Sequence, residues 1–279
     1  MVWSGFKNKL NLYSHKKKIS ITIFISVDVS TDDTYLWCKQ LSIRNKCIKV
    51  LPYGKKFGMA SRNFFYLIKN VNFSQFDYVA LADQDDIWHK NKLYHAIKSI
   101  DKECLDGFSS NVTAFWGNGR KKLVKKSYPQ KKFDYFFESA GPGCTYVLTK
   151  DSIQKFKKFL VSNWIEVSSV EFHDWIIYAF YRSQGLTWKI DEKPLILYRQ
   201  HNNNYLGFNS GLKAYLSRFS KIKMKWYRNE VNRIIKLVSK NSKVDISLEQ
   251  FFLIKNFWQL RRRPRDLFIL FFLTTLRIF

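Results

Sequence analysis

Residues 19–26, Ile19-Ser20-Ile21-Thr22-Ile23-Phe24-Ile25-Ser26, are β-branched or apolar at nearly every position. A short continuous run of this kind predicts a strand covered on both faces, as in a parallel sheet. It ends at Asp28, and the polar stretch Ser30-Thr31-Asp32-Asp33-Thr34 is suited to turn the chain and cap a helix. The arrangement recurs. Tyr78-Val79-Ala80-Leu81-Ala82 is apolar and runs straight into Asp83-Gln84-Asp85-Asp86, after which Leu93, Ala96, Ile97 and Ile100 repeat at i, i+3, i+4, i+7. That spacing lines one face of a helix. Strand, acidic turn and helix, twice over, predict an open α/β sheet, in which ligands gather at the carboxyl ends of the strands.

Residues 101–140 read as irregular, with a basic stretch from Lys121 to Lys132. Gly141-Pro142-Gly143 is a turn signal, and Cys144-Thr145-Tyr146-Val147-Leu148 is a short β-like run behind it. Residues 171–182 predict a helix with His173 and Asp174 at its start. Leu195-Ile196-Leu197-Tyr198 predicts a strand leading into Arg199-Gln200-His201-Asn202. From Leu212 the pattern changes: Leu212, Tyr215, Leu216, Phe219, Ile222 and Trp226 lie at helical spacing among lysines and arginines. The chain closes on Arg261-Arg262-Arg263-Pro264-Arg265 and a mostly apolar run from Leu267 to Leu276. The expected division is an α/β domain over 1–210 and a basic amphipathic helical tail over 211–279.

Composition adds two constraints. With 46% hydrophobic residues in 279, a sizeable core is expected and general disorder is excluded. Lys plus Arg number 48 against 22 Asp plus Glu, a net charge of +26; between 212 and 279 the count is sixteen against four, or +12. Such a field attracts nucleic acid, an anionic lipid surface or phosphorylated substrates. The chain has no helix-turn-helix, zinc-finger or aromatic RNP pattern, so nucleic acid is not an expected partner. Cys38, Cys47, Cys104 and Cys144 share no CxxC spacing and read as thiols in a reducing compartment. With no secretory leader and no apolar run of about 20 residues, the expected place is the cytoplasm. The tail would then lie peripherally on the anionic inner face of the cell membrane.

Three carboxylates within four residues repel one another, and a strand end tolerates them when a cation neutralises them. Mg²⁺ or Mn²⁺ takes carboxylate oxygens and shares its remaining positions with phosphate and water, which would hold a bound diphosphate. Ala82-Asp83-Gln84-Asp85-Asp86-Ile87-Trp88, with Lys90 and Lys92-Leu93, resembles the DxD region of family 2 glycosyltransferases. It is closest to the bacterial polysaccharide subgroup that contains many rhamnosyltransferases. Four further segments agree in order: Ser26 to Thr34 with the family's S-D-D-G-S-T-D-x-T; Gly143-Cys144-Thr145 with its acceptor-side turn; His173-Asp174-Trp175 with the segment of the catalytic base; and Tyr198-Arg199-Gln200-His201-Asn202, with Asn204 and Gly207, with its Y-R-Q-H-x-x-N motif. The resemblance covers roughly residues 19–210.

The resemblance implies a GT-A fold, an open mixed sheet flanked by helices. It also implies inverting transfer of a sugar from a nucleotide-diphosphate donor to a cell-surface glycan or lipid-linked acceptor. Carried over by position, Asp28 contacts the nucleotide base, Asp83 faces the ribose, Asp85 and Asp86 bind the metal and diphosphate, Asp174 deprotonates the acceptor hydroxyl, and His201 lies near the diphosphate. Two departures stand out. Val27 and Val29 replace the family's Asp and Gly. The family also opens with a strand ahead of residues 19–26, where this sequence has only Met1 to His15, so that strand is expected to be missing. A non-catalytic remnant and a basic binding module for membrane or nucleic acid are the alternative readings.

Overall fold

The computed structural model describes residues 19–200, 226–239 and 245–279. The first predicted unit is present: strand β1 (Ile23–Ile25) leads to helix α1 (Thr34–Arg44) and strand β2 (Ile48–Val50), which pairs parallel to β1. The polar turn between them starts the helix, since Asp32 Oδ1 accepts hydrogen bonds from Ser30 Oγ (2.8 Å) and the Thr34 N–H (3.2 Å). Helix α2 (Ala60–Asn70), absent from the pattern reading, buries Phe64, Phe65 and Ile68 at one-turn spacing.

The second unit differs in one respect. Strand β3 (Tyr78–Ala80) is followed by the acidic turn, but a two-residue strand β4 (Ile87–Trp88) stands between that turn and α3 (Lys92–Glu103). β4 pairs antiparallel with β10 (Ile196–Arg199), Ile196 opposite Trp88 and Leu197 opposite Ile87. This pairing brings Arg199 beside the acidic turn.

Residues 101–140, expected to be irregular, contain β5 (Gly107–Ser110), β6 (Val112–Phe115), β7 (Lys121–Val124) and the single-turn helix α4 (Asp134–Phe137). β7 is exposed at its three leading residues, so its lysines face water while its backbone pairs with β6. Polar composition hides such an edge strand. β8 (Val147–Thr149), α5 (Lys150–Ser162), α6 (Trp164–Ser168), α7 (His173–Ser183) and β9 (Trp188–Asp191) follow. Thr149 caps α5, its Oγ1 accepting from the Ser152 N–H at 3.4 Å.

The strands form three open sheets among the described residues: β1-β2, β4-β10-β6-β7 and β3-β8-β5-β9. Parallel and antiparallel pairs are mixed, and no described strand joins β1 to β3. The main core runs from Phe65 and Ile68 through Phe136, Tyr146 and Leu148 to Ile176 and Tyr178.

The C-terminal helices α8 (Trp226–Val238), α9 (Gln250–Lys255) and α10 (Pro264–Thr275) contribute to that same core through Val231, Ile234, Leu253, Leu260, Leu270 and Phe279. Two members of the terminal arginine run are internal as well. The Arg262 side chain is 1% exposed and reaches Asp134 Oδ2 at 2.7 Å and Glu138 Oε2 at 3.3 Å. Arg261 Nη1 donates to the Tyr227 hydroxyl (2.6 Å) and to the Phe137 carbonyl (3.0 Å). Where it is described, the region expected as a basic helical tail packs on the α/β domain through apolar contacts and buried ion pairs. His201 and residues 211–225 lie outside the described residues.

Candidate active site

The acidic turn sits at the carboxyl end of β3, where the chain leaves the sheet and its Asp83 and Asp86 carboxylates converge. Asp86 is fully buried. Its Oδ1 accepts the Arg199 N–H at 3.1 Å, a direct product of the β4–β10 pairing. Its Oδ2 has no hydrogen-bond partner among the described residues. Burial pushes the Asp86 carboxyl up to about 7 and the Asp83 charge pushes the same way, while the Cys144 thiol and the Arg199 N–H hold it down in part. Donor atoms of Asp83, Asp86 and Cys144 lie within 4.8 Å of one another. Asp85 is outside that triad, but its charge also raises Asp86 and its backbone carbonyl accepts Arg199 Nε at 3.1 Å. Burial and the neighbouring Asp86 hold the Cys144 thiol well above its ordinary range, so it is protonated. A neutral thiol is a poor partner for a hard cation, and the oxygen ligands fall to the aspartates. A buried carboxylate with an unsatisfied oxygen beside a second carboxylate fits a bound divalent cation.

Asp174 stands in the first turn of α7. Its Oδ1 accepts the N–H of Trp175 at 2.8 Å, and its backbone carbonyl accepts the Tyr146 hydroxyl at 3.1 Å. Burial raises its carboxyl to about 6, countered by the Trp175 N–H, the Lys126 charge and the Ser139 hydroxyl, and reinforced by Asp83. Asp83 and Asp174 therefore feel each other across one site, although 91 positions separate them in sequence. The Tyr198 phenol, raised by burial and by Cys144, Asp83, Asp86 and Asp174, stands among all of them.

His173 explains the Gly143 turn. The imidazole stacks on Phe64 at 4.0 Å between centroids, and burial pushes its pKa down to about 3. A Cβ on Gly143 would sit 2.3 Å from His173 Nε2, so only glycine lets the turn carrying Cys144 close against the start of α7.

Asp28 is placed differently from the acidic turn. Both of its oxygens are taken by backbone N–H groups, Phe57 at 2.8 Å and Gly58 at 2.9 Å, so it ties down the loop after β2. Two neighbours of the site were not singled out by sequence, and a third lies within the DxD-like segment. Lys126 and Ser139 adjoin Asp174 from segments read as irregular. Lys92 is buried with its ammonium 3.4 Å from the Trp88 ring centroid, and its charge counters the acids at Cys144. It directly precedes the helix repeat that begins at Leu93, within the segment that resembles the DxD region.

Mixed open sheets flanked by helices, with a carboxylate cluster at a strand end, are the arrangement of a GT-A fold. Residues 10–160 match the model of Glycosyl transferase family 2, and this chain belongs to that family. The chain is 40% identical to the dTDP-rhamnosyl transferase RfbG of Shigella flexneri, over 98% of this chain and 96% of that one. Among solved structures, the S. aureus TarS 1-349 complex with UDP-GlcNAc superposes with a TM-score of 0.53 at 16% identity, covering 88% of this chain and 66% of that one. The complex of the same protein with UDP gives 0.52 at 14% identity, covering 88% and 64%. The chain is thus a glycosyltransferase, and its solved neighbours share its fold.

Proposed function

We propose that this enzyme moves rhamnose from a dTDP-activated donor to a hydroxyl of a cell-surface glycan or lipid-linked acceptor, with inversion, at the inner face of the cell membrane. The observation that carries the donor assignment is the 40% identity to a dTDP-rhamnosyl transferase over nearly the whole of both chains. Asp174 takes the acceptor proton. With its pKa raised to about 6 it is deprotonated near neutrality, yet more basic than an ordinary carboxylate. Asp83 and Asp86, with Asp85 beside them, would hold Mg²⁺ or Mn²⁺; when bound, the ion offsets charge on the donor diphosphate. Asp28, which anchors the loop after β2, is assigned to the nucleotide base, and His201 to the diphosphate side.

Calorimetry with dTDP and UDP, with and without Mn²⁺, tests the reading. Wild type should bind dTDP more tightly than UDP and need the metal, and Asp86→Ala and Asp85→Ala should each weaken metal-dependent binding at least about tenfold. Equal affinity for both nucleotides would refute the donor assignment, and unchanged metal dependence in both variants would refute the carboxylate assignment.

A further inference from the structure

Fourteen large hydrophobic side chains are exposed among the described residues, and seven of them lie between 251 and 278. Scattered exposed apolar residues are ordinary, whereas a contiguous patch marks an interaction surface. This set is contiguous. On α10 and its C-cap residue, Phe268, Ile269, Phe272 and Leu276 follow at i, i+1, i+4 and i+8, all on the face opposite the buried Leu267, Leu270 and Thr274. α9 and the turn that follows it run antiparallel alongside: Gln250 Nε2 donates to the Thr274 carbonyl at 3.0 Å, while the rings of Trp258, in that turn, and Phe268 sit 5.8 Å apart. Phe251, 78% exposed, thus extends the patch at one end, and Trp258 does so at the other.

The rim is cationic. Lys255 on α9, Arg265 on α10 and Arg277 just beyond it are exposed; Arg265, which also pairs with Asp266 at 3.1 Å, lies one turn before Phe268 and Ile269. This charge selects between occupants. A second copy of the chain would bring the same cations face to face, each molecule carrying +26, which like-charge repulsion opposes. An anionic lipid surface complements the rim and takes the rings. α10 has 12 residues, about 18 Å at 1.5 Å per residue, short of the roughly 30 Å hydrocarbon core. No described helix is long and apolar enough to cross a membrane.

We propose that the joint outer face of α9 and α10 docks on an anionic bilayer, its rings in the headgroup boundary and Lys255, Arg265 and Arg277 at the phosphates. The face differs from a simple basic tail, because Arg261 and Arg262 point inward and the docking helices belong to the folded domain. The inference stands apart from the donor assignment, since none of these side chains belongs to the active site.

Flotation of the full chain with vesicles of equal parts phosphatidylcholine and phosphatidylglycerol tests it, with pure phosphatidylcholine vesicles as control. Wild type should float with the mixed vesicles, and more weakly at high salt. Phe268→Ser/Phe272→Ser should partition at least about tenfold less. Lys255→Glu/Arg265→Glu, which alters only exposed side chains, should lose a similar amount, and both should keep wild-type dTDP affinity. Wild-type flotation of the charge-reversed variant would overturn the proposal. So would failure of wild type to float, or ultracentrifugation showing a dimer that the Phe268→Ser/Phe272→Ser variant dissolves.

Discussion

Replacing Arg262 with Met removes a cation from the interior without opening a large void. Arg262 is bonded to Asp134 at 2.7 Å, to Glu138 and to the Ser139 carbonyl, and the Asp134 carboxylate is itself fully buried. Breaking one side of a buried ion pair costs about 3–5 kcal/mol, because the surviving charge is left uncompensated. Two partners of Asp134 survive here: Arg182 at 3.3 Å, itself 19% exposed, and the Tyr178 hydroxyl at 2.9 Å. The expected loss is therefore at the low end, about 3 kcal/mol, a large share of the roughly 5–15 kcal/mol by which a domain is stable. Urea unfolding followed by tryptophan fluorescence measures it. Adding Asp134→Asn to Arg262→Met should recover at least about 1 kcal/mol, since the stranded charge is gone. Deletion from Arg261 onward should unfold the protein, not merely detach it from lipid. A loss under about 1 kcal/mol for Arg262→Met, or strict additivity with Asp134→Asn, would show that the network does not hold the C-terminal helices to the domain.

Asp174→Asn should stabilise the protein at pH 7.5 by about 1–3 kcal/mol. The folded carboxyl titrates near 6 against 3.8 unfolded, so the native state binds more protons and wild-type stability falls as pH rises through that window; melting curves should show the advantage of Asn vanish below about pH 4. For the same reason turnover should fall tenfold per pH unit below about 6, as a pH–rate profile would show. Gly143→Ala should cost at least about 2 kcal/mol, because its methyl would collide with His173 Nε2; Gly143→Ala with His173→Ala should recover part of that loss in the same unfolding assay.

The acidic turn and the start of α7 were legible because carboxylates at a strand end and a helix start stand out against apolar surroundings. The Y-R-Q-H segment was legible as a motif, but the meeting of Arg199 with Asp86 depends on β4, two residues long and silent in any periodicity. α2 and α5 carry a usable spacing in Phe64, Phe65, Ile68 and in Ile153, Phe156, Leu160, passed over because lysines and polar residues interrupt it. Lys126 and Ser139 could not be read from a basic, irregular stretch, since they reach Asp174 only through tertiary contact. The arginine run misled for a related reason. Sequence shows four arginines in five residues, and only packing tells that Arg262 is buried against Asp134 while Arg265 faces water.

Transfer from dTDP-rhamnose to an acceptor glycan, measured for wild type and Asp174→Asn alongside dTDP affinity, bears most directly on the assignment of this chain as a glycosyltransferase with Asp174 as its base. Wild type should form a rhamnoside of anomeric configuration opposite to the donor's. Asp174→Asn should keep dTDP affinity within about twofold while kcat falls about 10²–10⁴-fold. A variant that retains most of its turnover, or a wild type that binds dTDP yet transfers nothing to any glycan acceptor, would contradict it.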